Sequence, residues 1–196
     1  MLTNSVSPGA KYLEAQQAVL DRLNAKYAQD RKVETDKLDE PIIWAKNPED
    51  VKFLLKSFMI DPNLKIDFIS DLTAYDNEDG VDGDKRFVLV YNFLSLELFT
   101  RVRIKCLVGI DEEAVTITDI FDGANWLERE VYDMYGINYK GHPNMRRILM
   151  HENFTGHPLR KEYPIKQREP YSTNTHFNLG AHPLPVQIKK TPKAEN

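Results

Sequence analysis

Cysteine is almost missing from this chain: Cys106 stands alone among 196 residues. That excludes an internal disulfide and a zinc cluster built on thiolates. It also excludes an iron–sulfur centre held by this chain unaided, which takes about four cysteines. Long apolar runs are missing too; none approaches the roughly 18 residues that cross a bilayer. The N-terminal MLTNSVSPGAKYLEAQQ lacks the basic and apolar regions of a secretory signal. The expectation is an intracellular chain, soluble in itself and able to dock on a membrane complex. Phosphate-cradling loops are absent, since neither G-x-G-x-x-G nor G-x-x-x-x-G-K-[ST] occurs, and the Gly80–Gly83 pair sits in an acidic loop that repels phosphate. No sign of charge dominates: 26 basic residues against 30 acidic ones give a net charge of -4. With a pI near 5.8, nothing favours a nucleic-acid partner.

What is there suits one α+β domain with a tail. A hydrophobic fraction of 41% is enough to bury a core. Ser7-Pro8 can open a helix, Ser7 as its cap, whose apolar residues Tyr12, Val19, Leu23 and Tyr27 recur at helical spacing to about Ala28. Residues 29–40 are charged and carry little periodicity. Pro41 to Trp44 reads as a short strand. Asn47-Pro48-Glu49-Asp50 opens a helix with Val51, Leu54, Leu55 and Phe58 on its apolar face, stopped by Asp61-Pro62. Strand-like stretches follow around Ile66, Phe68 and Leu72, from Arg86 to Leu94, and from Thr100 to Val108, with a last one expected over Val115 to Ile120. In the third, Val102, Ile104 and Cys106 alternate with Arg101, Arg103 and Lys105, giving a core face and an outward basic face. Cys106 should be a buried, inert thiol there. The pattern predicts a two-layer sandwich of a mostly antiparallel sheet with helices, followed by an extended C-terminal arm. Residues 1–164 form the expected domain. Residues 165–196, with Pro170, Pro183, Pro185 and Pro192 among polar residues, form an extended tail suited to a partner's surface.

The densest stretch is 125–164, NWLEREVYDMYGINYKGHPNMRRILMHENFTGHPLRKEYP. It begins as a helix from Trp126 to about Tyr135, with Asn125 as cap, Glu128 where a capping box places an acid, and Gly136 as the left-handed residue that ends it. Two Gly-His-Pro breakers follow, each leading to a basic pair, Arg146-Arg147 and Arg160-Lys161. Three chemistries compete for these residues. A hydrolase would pair Glu130 with Asp133 at i and i+3 on one helical face. A metal site would gather His142, His151 and His157, whose spacing fits no helical ligand pair and which suit backbone hydrogen bonds in turns. The third reading is structural: Arg129 and Asp133 pair at i,i+4, Glu130 answers an arginine of the arm, and the interleaved Ile148, Leu149 and Leu159 bury at least one basic block. The residues favour the third, an interaction protein with an acidic helix and a basic arm.

Glu128-Arg129-Glu130, then Asp133-Met134-Tyr135, His142 and Arg146-x-Ile148-Leu149 closely resemble the signature of the NADH-quinone oxidoreductase C subunit, the 30 kDa subunit family of respiratory complex I. Gly156-His157-Pro158-Leu159-Arg160-Lys161, with Tyr163-Pro164 after it, resembles the same family. The resemblance implies a hydrophilic-arm component without catalytic residues or a cofactor of its own. FMN, iron–sulfur clusters and quinone would be held by partner subunits. It implies a place beside the D and B subunits of the quinone module, with the I subunit as a further neighbour, on the cytoplasmic side of the bacterial inner membrane as a peripheral component. Glu128, Arg129, Glu130, Asp133, His142, Arg146, Arg147, His157, Arg160 and Lys161 become its motif and interface residues. Related subunits of membrane-bound hydrogenases and ferredoxin-driven complexes share the motif and remain the alternative.

Overall fold

The computed structural model describes residues 8–164. The Ser7 cap and the 165–196 tail lie outside the described residues. The elements run α1 (Pro8–Tyr27), β1 (Val33–Thr35), β2 (Pro41–Ala45), α2 (Pro48–Ile60), β3 (Phe68–Asp76), β4 (Phe87–Ser95), β5 (Thr100–Val108), β6 (Ala114–Val115), α3 (Ala124–Tyr135) and β7 (Tyr139–Lys140). The sheet order is β1-β2-β5-β4-β3, antiparallel throughout except for the parallel β2–β5 pair. This is the α+β sandwich that the periodicities imply.

One continuous core joins the helices to the sheet's inner face. It takes Val19, Leu23 and Tyr27 from α1, Val51, Leu54, Leu55 and Phe58 from α2, and alternating residues of β3, β4 and β5. From α3 it takes Ala124, Val131, Met134 and Tyr135. Cys106 sits in this layer, fully buried, and burial pushes its thiol up to about 12. Asn47 caps α2 as its sequence suggests, its side chain accepting from the Asp50 amide at 2.8 Å.

The outward face of β5 differs from a simple solvated stripe. Ile42, Trp44, Val88 and Val90 form a second buried cluster on that side. Lys105 lies over the Trp44 and Tyr75 rings at 5.0 and 5.8 Å, while Arg103 binds Asn92, Asp36 and Glu40. Long cationic stems cover the apolar surface, with the Arg103 head held by its acid partners and the Lys105 head over the rings. Two segment boundaries also need correction. Residues 33–35 pair with β2 as a strand despite their weak periodicity. The expected strand over Val115–Ile120 ends after Val115. Ile120 and Phe121 both donate their amides to the Ile117 carbonyl, which turns the chain towards α3.

Candidate functional site

Residues 136–164 fold back along α3, and the contacts proceed in parallel register. His142 reaches the first turn, where its Nε2 donates to the Asn125 carbonyl at 3.3 Å and its Nδ1 accepts from the Asn144 amide. Further along, Arg129 Nε donates to the Arg146 carbonyl at 3.0 Å. The main chain at 148–150 then passes over Asp133. That carboxylate is fully buried and accepts from Arg147 Nη1 at 2.6 Å and from the amides of Ile148, Leu149 and Met150 at 3.0, 2.8 and 2.9 Å. Burial opposes its charge. The Met150 and Leu149 amides, the Arg147 guanidinium and the Ile148 amide outweigh burial and hold the carboxyl below its ordinary range.

The end of α3 is closed by the same segment. A helix leaves its last carbonyls without intrahelical partners, and cations there also meet the negative end of the helix dipole. Here every one of them is taken. The Tyr132 carbonyl accepts from the Gly136 amide, that of Asp133 from His157 Nδ1 and Arg147, that of Met134 from the Leu159 amide, and that of Tyr135 from Arg160 Nε at 2.6 Å. Gly136 makes this closure possible twice over. Its φ of 75° is left-handed, and a Cβ there would lie 2.5 Å from both Arg160 Nη2 and His157 Nε2.

A second buried carboxylate holds the far end of the arm. Asp76, at the end of β3, receives both Nε and Nη2 of Arg86 at 2.7 Å and the Lys161 amide at 2.8 Å. Arg86 also pairs with Glu162, and the Lys161 ammonium reaches Asp79 at 3.8 Å. Burial again opposes the charge of Asp76, and Arg86 with the Lys161 amide prevails in lowering its pKa. Neither Asp76 nor Arg86 stands out in the sequence. The only signal is an acid closing one strand and an arginine preceding the next.

Several expected roles are replaced. α3 begins at Ala124 after Gly123, and no side chain caps it. Asn125 therefore lies inside the first turn. Glu128 makes no capping box; it is fully buried and accepts from Thr116 Oγ1 at 2.6 Å and from the Ile117 amide at 2.8 Å. Arg129 and Asp133 do not pair along the helix, because each is used by the arm. Glu130 is exposed and has no ion pair among the described residues, and Arg146 is exposed as well. The hydrolase geometry is therefore not built, since Asp133 is saturated by donors while Glu130 faces solvent. His142 and His157 each make backbone hydrogen bonds in their turns, His151 is exposed, and burial lowers the pKa of both bonded rings. Of the two basic blocks, Arg147 and Arg160 turn inward and Arg146 and Lys161 turn outward. Among the described residues no helix is long and apolar enough to cross a membrane.

Residues 45–169, which contain this whole constellation, match the family model for the 30 kDa subunit of respiratory-chain NADH dehydrogenase. The NADH-quinone oxidoreductase C subunit of Citrifermentans bemidjiense is 41% identical over 126 residues, 63% of this chain and 75% of that one. A Bdellovibrio bacteriovorus protein named as the C/D subunit of the same oxidoreductase is 40% identical over 116 residues, 58% of this chain and 20% of that one. Among solved structures, a chain of the membrane-bound sulfane sulfur reductase, an archaeal respiratory membrane complex, shares the fold. It aligns with a TM-score of 0.61 at 19% identity, covering 76% of this chain and 86% of that one.

Proposed function

We propose that this chain, which belongs to the family of the 30 kDa subunit of respiratory-chain NADH dehydrogenase, is a non-catalytic building piece of the hydrophilic arm of NADH-quinone oxidoreductase. It would support the module that reduces quinone, with FMN, iron–sulfur clusters and quinone bound by other subunits. The D subunit is the partner best supported, because one relative is named as C and D together. The B and I subunits would complete the contacts. The complex would sit on the cytoplasmic side of the bacterial inner membrane, with this chain held there peripherally through its partners.

The carrying observation is the fate of the motif's charges. Asp133, Arg147, His157 and Arg160 are consumed in fixing the arm against α3. A catalytic acid or base needs a free lone pair or proton within reach of substrate; the Asp133 carboxylate is filled by four donors, and Arg147, His157 and Arg160 are turned onto the carbonyls that end α3. The test is to substitute Arg147→Ala or Arg160→Ala and measure quinone reductase activity normalised to assembled complex on a native gel. Assembled complex should fall more than the turnover of each complex that forms. Normal assembly with collapsed specific activity would place these arginines in the quinone chemistry and overturn the reading. The purified chain should also show no flavin or iron–sulfur absorbance and no stoichiometric iron; either signal would restore a redox role. Co-purification with the D subunit, lost on removing the arm, tests the partner.

A further inference from the structure

α3 carries two buried carboxyls in opposite settings. Asp133 has a guanidinium and three amides. Glu128, equally buried, has one hydroxyl and one amide and no cation in hydrogen-bond contact among the described residues. Its hydroxyl partner, Thr116 Oγ1, lies 2.9 Å from Thr118 Oγ1 and also accepts from the Thr118 amide at 3.2 Å. Thr116 is buried and Thr118 half-buried, so the three side chains form a hydroxyl path from the interior to solvent. The main chain of Thr116 is tied as well, its amide donating to the Lys140 carbonyl at 3.2 Å and its carbonyl accepting from Lys52 Nζ at 3.4 Å.

We propose that the Glu128–Thr116–Thr118 chain is a proton-operated latch joining α3 to the 116–123 connection. Its hydroxyls reverse direction as the carboxyl gains or loses a proton. With Glu128 ionised, Thr116 donates to Oε2 and accepts from Thr118. With Glu128 protonated, the acid donates to Thr116, and Thr116 donates onward to Thr118. Oε1 keeps the Ile117 amide in both states. No hydrogen bond is lost in either direction, so the carboxyl can titrate inside a folded molecule. The ionised latch is the weaker one, because its charge stays buried with few donors.

Every element packed around the group contributes to its setting. Burial pushes the carboxyl up to about 7 against the Ile117 amide and the Thr116 hydroxyl; Asp119 on the connection adds to the rise, and Lys52 of α2 opposes it. The phenols of Tyr91 on β4 and Tyr139 on β7 face the same interior; burial raises both, and Glu128 adds to the rise. The latch thus changes state near neutrality. It acts on the residues that start α3 and, through Thr116 and Lys140, on the strand that starts the arm.

The inference concerns the chain itself and stands apart from the proposed place in a complex, so its test uses the full-length chain alone. Side-chain carbon NMR of labelled glutamate should show Glu128 titrating at about 7. Amide protection at Ile117, corrected for intrinsic exchange, should fall by about tenfold for each pH unit as the pH rises from 4.5, the ordinary value, to about 7, and should level off above that. Glu128→Gln, which donates and accepts as the protonated acid does, should abolish that dependence. Thr116→Val removes a donor to the charged form and should raise the midpoint, and Thr116→Ser should restore it. If the glutamine variant fails to fold, the wild-type titration and the Thr116 pair decide the matter. A Glu128 midpoint in the ordinary carboxylate range, protection that ignores pH, or equal midpoints in the valine and serine variants would each overturn the latch.

Discussion

Replacing Asp133 with asparagine alters one atom at the centre of the arm's anchorage. The carboxylate presents Oδ1 to Arg147 and Oδ2 to the amides of Ile148, Leu149 and Met150. An asparagine must turn its NH2 towards one set or the other, so a donor meets donors whichever way it flips. Arg147 is left with its bonds to the Asp133 and Gly156 carbonyls but without a counter-charge, its side chain only 14% exposed. Removing one partner of a buried pair costs about 3–5 kcal/mol. Because Arg147 retains two acceptors and some solvent, the lower end applies, about 3 kcal/mol. For a chain of this size that corresponds to a melting temperature lowered by roughly 6–12 °C.

Urea unfolding of the isolated chain measures the loss, and trypsin cleavage at Arg146 and Arg147 reports whether the arm has lifted. The arm should become cleavable under conditions in which the β-sheet is still intact. A double-mutant cycle with Arg147→Ala isolates the pair, with an expected coupling of about 1.5–3 kcal/mol for a charged hydrogen bond. A loss below about 1 kcal/mol, the worth of an exposed pair, or strict additivity in the cycle would refute the clamp.

Gly136→Ala should cost roughly 1–2 kcal/mol from its left-handed backbone alone, with more from pushing Arg160 and His157 aside; an unchanged thermal midpoint would mean the arm does not cross there. Acid should act on the same anchors. The pKa values of Asp133 and Asp76 are lowered from 3.8, so their contribution is present above that value and is lost as pH falls through the lowered folded values. Arm proteolysis should therefore rise below about pH 4, and Asp133→Asn should flatten that rise. Arg146→Ala and Glu130→Gln should leave the stability of the free chain within about 0.5 kcal/mol yet reduce assembly, as measured on a native gel; large destabilisation would show that their side chains work inside the chain.

Much of this fold was legible because its signals are local. Asn47-Pro48 announces the start of α2, and the alternation of β5 gives its bounds and its buried face. Gly136 reveals the end of α3 for the same reason. The site was only half legible. Arg147 and Arg160 do turn inward, but not for the reason the interleaved apolar residues suggest, because Leu149 and Leu159 are themselves exposed; the arginines turn in to reach the carbonyls that end α3. The i,i+4 rule pairs Arg129 with Asp133 for an isolated helix, whereas the folded arm offers Arg129 two carbonyls and Asp133 three amides. Glu128 shows the same ambiguity, because an acid near a helix start looks alike whether it caps the helix or is buried. Asp76 and Arg86 meet only when β3 and β4 pair, a contact that no short-range spacing announces.

The side-chain donors of this motif are directed at backbone more than at acids. Arg129, Arg147, His157 and Arg160 all donate to main-chain carbonyls, and of these only Arg147 also hydrogen-bonds a carboxylate. A carbonyl at a helix end must find a donor, wherever it lies, or else remain exposed to water. Covering the end of α3 with the arm removes that water, so the arm has to bring donors with it; arginine delivers them with a favourable charge, and the His157 ring, its pKa lowered by burial, delivers one without needing a charge. The outward side chains take no part in closing the helix end. The division runs through adjacent positions, Arg146 outside and Arg147 inside, so one basic pair holds the arm with one member and leaves the other at the surface.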